Sequence, residues 1–287
     1  MRIVLALMWL LHWLPLSILG RIGETIGSIL FVFMGRRRHI CLTNIKLCLP
    51  HLNDDEQLHL AKSHFRAYAR SVLERGILWW GSEKRLRKLI HVESDIPLDS
   101  MFLSPTILLC PHFVSLDVGG VAVMLESSLC SIYTKQRNKV FDQALRKGRT
   151  RFRPIELFSR SEGVKPILRA MKKNLPYFML PDMDFGAKDA EFVSFFGVPA
   201  ATLTSVSRIA TATNAKVIPV IATTLPNYQG WNVKFDTPWK NYPCEDLIVN
   251  TRFMNAYIEA EIIKAPEQYF WTHRRFKTRP DGENTVY

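Results

Sequence analysis

Apolar residues along the chain fall into regimes of different period. Ile3 to Leu19 carries no charged residue and is rich in Leu, with Trp9 and Trp13. As a helix these seventeen residues span about 25 Å, just short of a bilayer core. Arg21 and Glu24 interrupt, Ile26 to Met34 is apolar again, and Arg36, Arg37 and Arg38 follow. No A-x-A cleavage site follows, so the stretch reads as a retained membrane anchor over 1–34 rather than a removed signal peptide. Gly20, Gly23, Gly27 and Gly35 leave room for a bent or two-piece helix lying partly in the interface.

From Asp54 to Trp80 the apolar positions Leu58, Ala61, Phe65, Tyr68, Ala69, Val72 and Leu73 recur at three and four, which predicts a long amphipathic helix. Asn53 ahead of Asp54-Asp55-Glu56 supplies its cap and acidic first turn. Beyond it come short apolar runs bounded by Pro, Gly or charge: 106–110, 131–133, 177–180, 217–222 and 231–235. They read as buried strands. Helical stretches separate them, at about 116–126, 140–147, 163–173, 202–213 and 247–263. Strands alternating with helices predict one α/β domain over 35–287, a mostly parallel central sheet flanked by helices. No internal repeat and no long flexible linker divides it.

Charge and cysteine content narrow the class. The 38 Lys plus Arg against 26 Asp plus Glu leave +12, which implies an anionic partner. The five Cys are scattered and unpaired in pattern, which suits a reducing compartment. Eight Lys or Arg and one acid, Asp142, occupy 135–153. Within that run Arg149 and Arg151 follow Gly148 at a helix end, where they can clamp phosphate or carboxylate groups. A second basic cluster, His273, Arg274, Arg275, Lys277 and Arg279, closes the chain. Nucleic acid is a weaker use of this charge, because the aromatics lack RRM or OB-fold spacing.

The sharpest chemical feature is Pro111-His112-Phe113-Val114-Ser115-Leu116-Asp117 at the end of the first apolar strand. If His112 sits in the turn and Asp117 in the first helical turn, the two can pair. The carboxylate then accepts the Nδ1–H and leaves Nε2 free as a base toward a hydroxyl. Alone, H-x4-D is a weak signal, and a turn His satisfied by a nearby carboxylate is the competing reading. No G-x-S-x-G, phosphate-binding glycine loop or H-E-x-x-H is present, so direct transfer to a hydroxyl survives better than covalent serine, nucleotide or zinc chemistry.

This block, with Gly148-Arg149-Thr150-Arg151, Pro181-Asp182-Met183-Asp184-Phe185-Gly186, Phe195 to Thr202 and Ala265 to Lys277, resembles the late acyltransferases of bacterial lipid A biosynthesis, within the wider lysophospholipid acyltransferase superfamily. The resemblance runs in order from the anchor to about Pro280. It implies an inner-membrane enzyme with a single N-terminal membrane segment and its catalytic domain on the cytoplasmic side. Such an enzyme moves an acyl chain from acyl carrier protein to the hydroxyl of a 3-hydroxyacyl chain on a Kdo-bearing lipid A precursor, with no cofactor. His112 would be the base and Asp117 its partner, with Arg149 and Asp182 as further active-site positions. Arg151, Asp184, Arg274 and Arg275 are the candidates for substrate contact. Close relatives often carry Glu at the position of Asp117, so the His–acid geometry is expected to differ slightly. The alternatives are a glycerophospholipid acyltransferase, against which the absence of an F-P-E-G-[ST]-R block counts, and a catalytically inactive membrane-bound binding protein.

Overall fold

The computed structural model describes the backbone of residues 1–287 and every side chain except that of Asp99. The apolar N-terminal stretch forms two helices, α1 (Arg2–Leu11) and α2 (Leu16–Phe33), broken at Pro15. Proline has no N–H to donate and its ring clashes with the preceding turn, so it starts α2 rather than continuing α1. Next come α3 (Gly35–Cys48), α4 (Asp54–Trp80) and α5 (Glu83–Leu89). The limits of α4 are those its periodicity predicts, and Asn53 and Glu56 close a reciprocal capping box at its start.

The α/β part then runs β1 (Ile90–Ser94), α6 (Leu98–Met101), β2 (Thr106–Leu109), α7 (Leu116–Glu126), β3 (Leu129–Tyr133), α8 (Lys139–Arg149), β4 (Ile155–Ser159), α9 (Lys165–Met171), β5 (Tyr177–Met179), β6 (Ala190–Phe195), β7 (Val198–Leu203), α10 (Ser205–Thr213), β8 (Lys216–Thr224), β9 (Trp231–Phe235) and α11 (Leu247–Lys264). Seven strands form one sheet in the order β1-β9-β8-β2-β5-β3-β4, parallel except where β8 meets β9. β6 and β7 form a separate hairpin turning at Phe196-Gly197, both at positive φ as a tight two-residue turn demands. Core residues on the two sides of the sheet form separate clusters, one around Ile107, Phe195, Ile258 and Trp271, the other around Leu108, Val123, Val220 and Trp231.

The first 34 residues are packed onto this body. α2 lies along α4 with Gly23 and Gly27 facing it and Gly20 against the Tyr228 ring. A β-carbon at Gly23 would lie 2.5 Å from the Arg70 Cα, and one at Gly27 would lie 2.4 Å from the Phe65 carbonyl oxygen. Leu16, Leu19 and Phe31 are buried on the same side, while Ile18, Ile26, Ile29, Val32 and Phe33 are exposed on the other. α2 therefore carries apolar residues on both faces, one covering α4 and the other, interrupted by Arg21 and Thr25, free.

The close approach makes Gly27 a steric requirement. Gly27→Leu is expected to destabilise the protein by about 1–3 kcal/mol or more, the range for overpacking a tight contact. Thermal unfolding in detergent measures it. An unchanged midpoint would mean that α2 does not hold this position.

Candidate active site

The site is built where two neighbouring parallel strands end. β2 and β5 pair in register with Leu109 opposite Met179, and the Cys110 N–H donates to the Met179 carbonyl at 2.8 Å. His112 and Asp182 each lie three residues beyond that registered pair, so the sheet itself brings them side by side. His112 Nδ1 is 2.7 Å from Asp182 Oδ1, and the His112 backbone N–H donates to Asp182 Oδ2 at 3.0 Å. Asp182 is fully buried. Burial alone would raise its carboxyl, but the His112 ring and its hydrogen bonds outweigh this and hold it well below the usual carboxylate range. An ionised Asp182 accepts the Nδ1–H, which fixes the tautomer with the lone pair on Nε2.

The partner of His112 is thus Asp182, not Asp117. Asp117 lies in the first turn of α7, as its position in the motif predicts, but arginines hold both its oxygens. Arg149 Nη2 donates to Oδ1 at 2.6 Å, and Arg75 Nε is 2.8 Å from Oδ2. Burial opposes ionisation of Asp117, yet Arg149 and Arg75 together bring its pKa down to about 2. Spacing within the motif shows neither the seventy residues between His112 and its partner nor Arg75, which comes from α4.

The closing block of the sequence braces the His112 turn. The Phe270 N–H donates to the His112 carbonyl at 2.9 Å and the Val114 N–H to the Gln268 carbonyl at 2.8 Å, with Phe113 and Tyr269 paired between them. The Phe270 ring lies near both imidazoles, its centroid 6.5 Å from that of His112 and 5.8 Å from that of His273. His273 is buried and pushed down to about 4, mainly by that burial, so it is neutral near pH 7 and adds no charge beside His112.

The four candidates for substrate contact are employed elsewhere. Arg151 donates to the Leu78 and Gly81 carbonyls, at 3.1 and 2.6 Å, satisfying the end of α4 that lacks intrahelical donors. Asp184 accepts from the Thr278 N–H at 2.6 Å and its hydroxyl at 2.8 Å, fastening the C-terminal segment. Arg274 lies over the Tyr287 ring at 5.7 Å. Arg275 is fully buried and donates to the Ala201 carbonyl at 3.0 Å and the Thr202 hydroxyl at 2.6 Å. None of these contacts joins the His112–Asp182 pair, and the hydrogen bonds of Arg151, Asp184 and Arg275 tie one segment to another.

Beside Asp117 and Arg149 opens an apolar pocket lined by Leu116, Val121, Met124, Leu129, Ile155 and Phe178 among others. Asp117 and Arg149 therefore line a space suited to a hydrocarbon chain.

A sequence profile of the bacterial lipid A biosynthesis acyltransferases matches residues 1–278. The chain is 30% identical over 286 residues to the lipid A biosynthesis palmitoleoyltransferase of Escherichia coli K12, covering 99% of this chain and 92% of that one. It is 28% identical to the lauroyltransferase of the same strain over 99% of this chain and 93% of the other. With the myristoyltransferase it shares 26% identity over 95% and 83% of the two chains. The protein is an O-acyltransferase with a mostly parallel α/β sheet. It belongs to the bacterial lipid A biosynthesis acyltransferase family.

Proposed function

We propose that this enzyme transfers a fatty acyl chain from the thioester of an acyl carrier protein to the hydroxyl of a 3-hydroxyacyl chain on a Kdo-bearing lipid A precursor. The observation that carries the reading is His112, held through Nδ1 by a buried, ionised Asp182, with Asp117 of the same motif and Arg149 lining an apolar pocket. His112 Nε2 takes the proton of the acceptor hydroxyl as its oxygen attacks the thioester carbonyl. The tetrahedral centre then collapses, the carbon–sulfur bond breaks, and the imidazolium returns the proton to the departing thiolate. An ester and a free carrier thiol result, with no covalent enzyme intermediate. The pocket takes the donor's chain. Arg149, at its rim, provides positive charge where the carbonyl oxygen becomes negative. The +12 balance suits both an acidic carrier protein and an acceptor bearing phosphates and carboxylates.

The reaction takes place at the cytoplasmic side of the inner membrane, with the N-terminal helices as the attachment. α2 is long and apolar enough to cross a bilayer by length and composition, with a mean hydropathy of 1.5. Its inner face is taken up by α4, which favours a helix pair lying in the interface with its outer face among the acyl chains. Ile3, Leu7, Leu10 and Trp13 of the first segment extend that exposed face, and Arg36–Arg38 follow it at the headgroup level. Replacing Ile29 and Phe33 together by Asp is expected to release much of the protein from anionic vesicles in a sedimentation assay. The thermal midpoint in detergent should hold, because neither side chain packs inside. Undiminished vesicle binding would assign attachment to another surface.

The decisive test of the reaction is mass spectrometry of products formed by the purified enzyme. Acyl carrier thioesters of several lengths would be offered with a lipid A precursor and, separately, with a lysophosphatidate. Acylation of the lipid A precursor is expected. Acylation of the lysophosphatidate alone would overturn the assignment of acceptor.

A further inference from the structure

Asp117 joins three elements: α4 through Arg75, its own helix α7, and the end of α8 through Arg149. Each carboxylate oxygen meets one guanidinium, at 2.8 Å from Arg75 and 2.6 Å from Arg149. Arg75 has no other acid paired with it among the described residues. Its neighbour Glu74 is committed to Arg70 and to the Trp231 indole N–H. The two arginines also lie on different sides of Asp117. Arg149 lines the apolar pocket, whereas Arg75 lines a separate small cavity with Ser71, Val114, Ser115 and Trp231.

We propose that Arg75 is a positioning residue for acyl transfer. Through Asp117 it fixes the guanidinium of Arg149 at the rim of the apolar pocket, and it touches neither substrate itself. The inference rests on the acyl-transfer reading of the site. A carboxylate held from one side by a single long side chain can swing about its own torsions. Held from the opposite side by a second guanidinium, based in the C-terminal part of the 27-residue α4, it becomes a fixed anchor for the first. Two cations on one anion also leave one net positive charge on the three groups together. A misplaced charge at the reacting centre is costly even when it is present, since displacements of an ångström lower rates by about a hundredfold.

A double-mutant cycle separates this role from its rivals. Transfer would be measured with the lauroyl thioester of acyl carrier protein and a lipid A precursor in detergent. Arg75→Met is expected to lower kcat about 10–100-fold, with the KM for either substrate nearly unchanged. Arg75→Lys, which keeps the charge but not the guanidinium geometry, should recover part of the loss. In an Asp117→Asn background, adding Arg75→Met should change kcat by less than about twofold, because the link it acts through is already cut. An equal fold loss in both backgrounds, or a rise in KM with kcat kept, would mean that Arg75 contacts substrate directly and would overturn the proposal. Wild-type turnover in Arg75→Met would do the same, as would a loss that tracks a lowered thermal midpoint. His112→Ala in the same assay keeps the two readings apart. If it is fully active, the acyl-transfer reading of the site fails. If it is inactive while Arg75→Met is normal, only the role of Arg75 fails.

Discussion

Replacing His112 by alanine is expected to lower acyl transfer by about 10²–10⁴-fold, the contribution of a positioned general base. Folding and membrane attachment should remain. The ring is only 13% exposed, yet it lies in a turn whose backbone is fixed independently of it. The Phe270 N–H holds the His112 carbonyl, the Val114 N–H donates to Gln268, and both bonds survive loss of the imidazole. Asp182 would keep its bond from the residue 112 N–H but lose its charge partner. The cost should therefore appear in turnover and not in unfolding. Single-turnover kinetics with purified enzyme in detergent, with thermal unfolding as control, would check this. Near wild-type rates would remove His112 from the chemistry.

The order of strands and helices is readable from the chain because buried segments of a parallel sheet are short apolar runs. β2, β5, β8 and β9 lie within a residue or two of the runs that predict them. β1 and β4 are not visible in this way. They are the two edges of the sheet, and their side chains are largely or partly exposed, with Glu93 and Glu156 inside them. The β6–β7 hairpin stands apart from the main sheet. Its second strand displaces the start of α10 from Thr202 to Ser205, a boundary that periodicity alone places too early.

Site residues were legible to the extent that their role is local. His112 lies in the turn after a strand, Asp117 opens a helix and Arg149 closes one, and all three positions follow from the sequence. What each side chain touches depends on strand register and helix packing. Asp182 reaches His112 because β5 neighbours β2, and Arg75 reaches Asp117 because α4 packs near α7. Arg275 shows the opposite error. A basic cluster at the surface of the sequence reads as a substrate clamp, but burial and two hydrogen-bonded oxygens make this arginine a structural strut.

Asp182→Asn tests that assignment of partners most directly, and it is expected to lower kcat by about 10²–10⁴-fold, on the scale of losing the base itself. In the native site the carboxylate accepts from two donors of the same residue, the ring Nδ1–H and the backbone N–H. An asparagine side chain offers one accepting oxygen and one donating NH2. If the oxygen keeps the backbone N–H, the amide N–H faces Nδ1 and favours the tautomer with its proton on Nε2. That ring cannot accept the hydroxyl proton. Because Asp182 is buried and away from solvent, KM should change little while kcat falls. The pH dependence has a fixed sign. A carboxyl held below its ordinary value stabilises the folded protein above the unfolded pKa, near 3.9, and that contribution is lost as pH falls through the folded value. The wild type should therefore exceed Asp182→Asn in stability at neutral pH, and the gap should narrow in acid. Asp117→Asn supplies the comparison, since it should disturb Arg149 and Arg75 without touching the tautomer of His112. Near wild-type turnover in Asp182→Asn, beside a dead Asp117→Asn, would return the role of partner to Asp117.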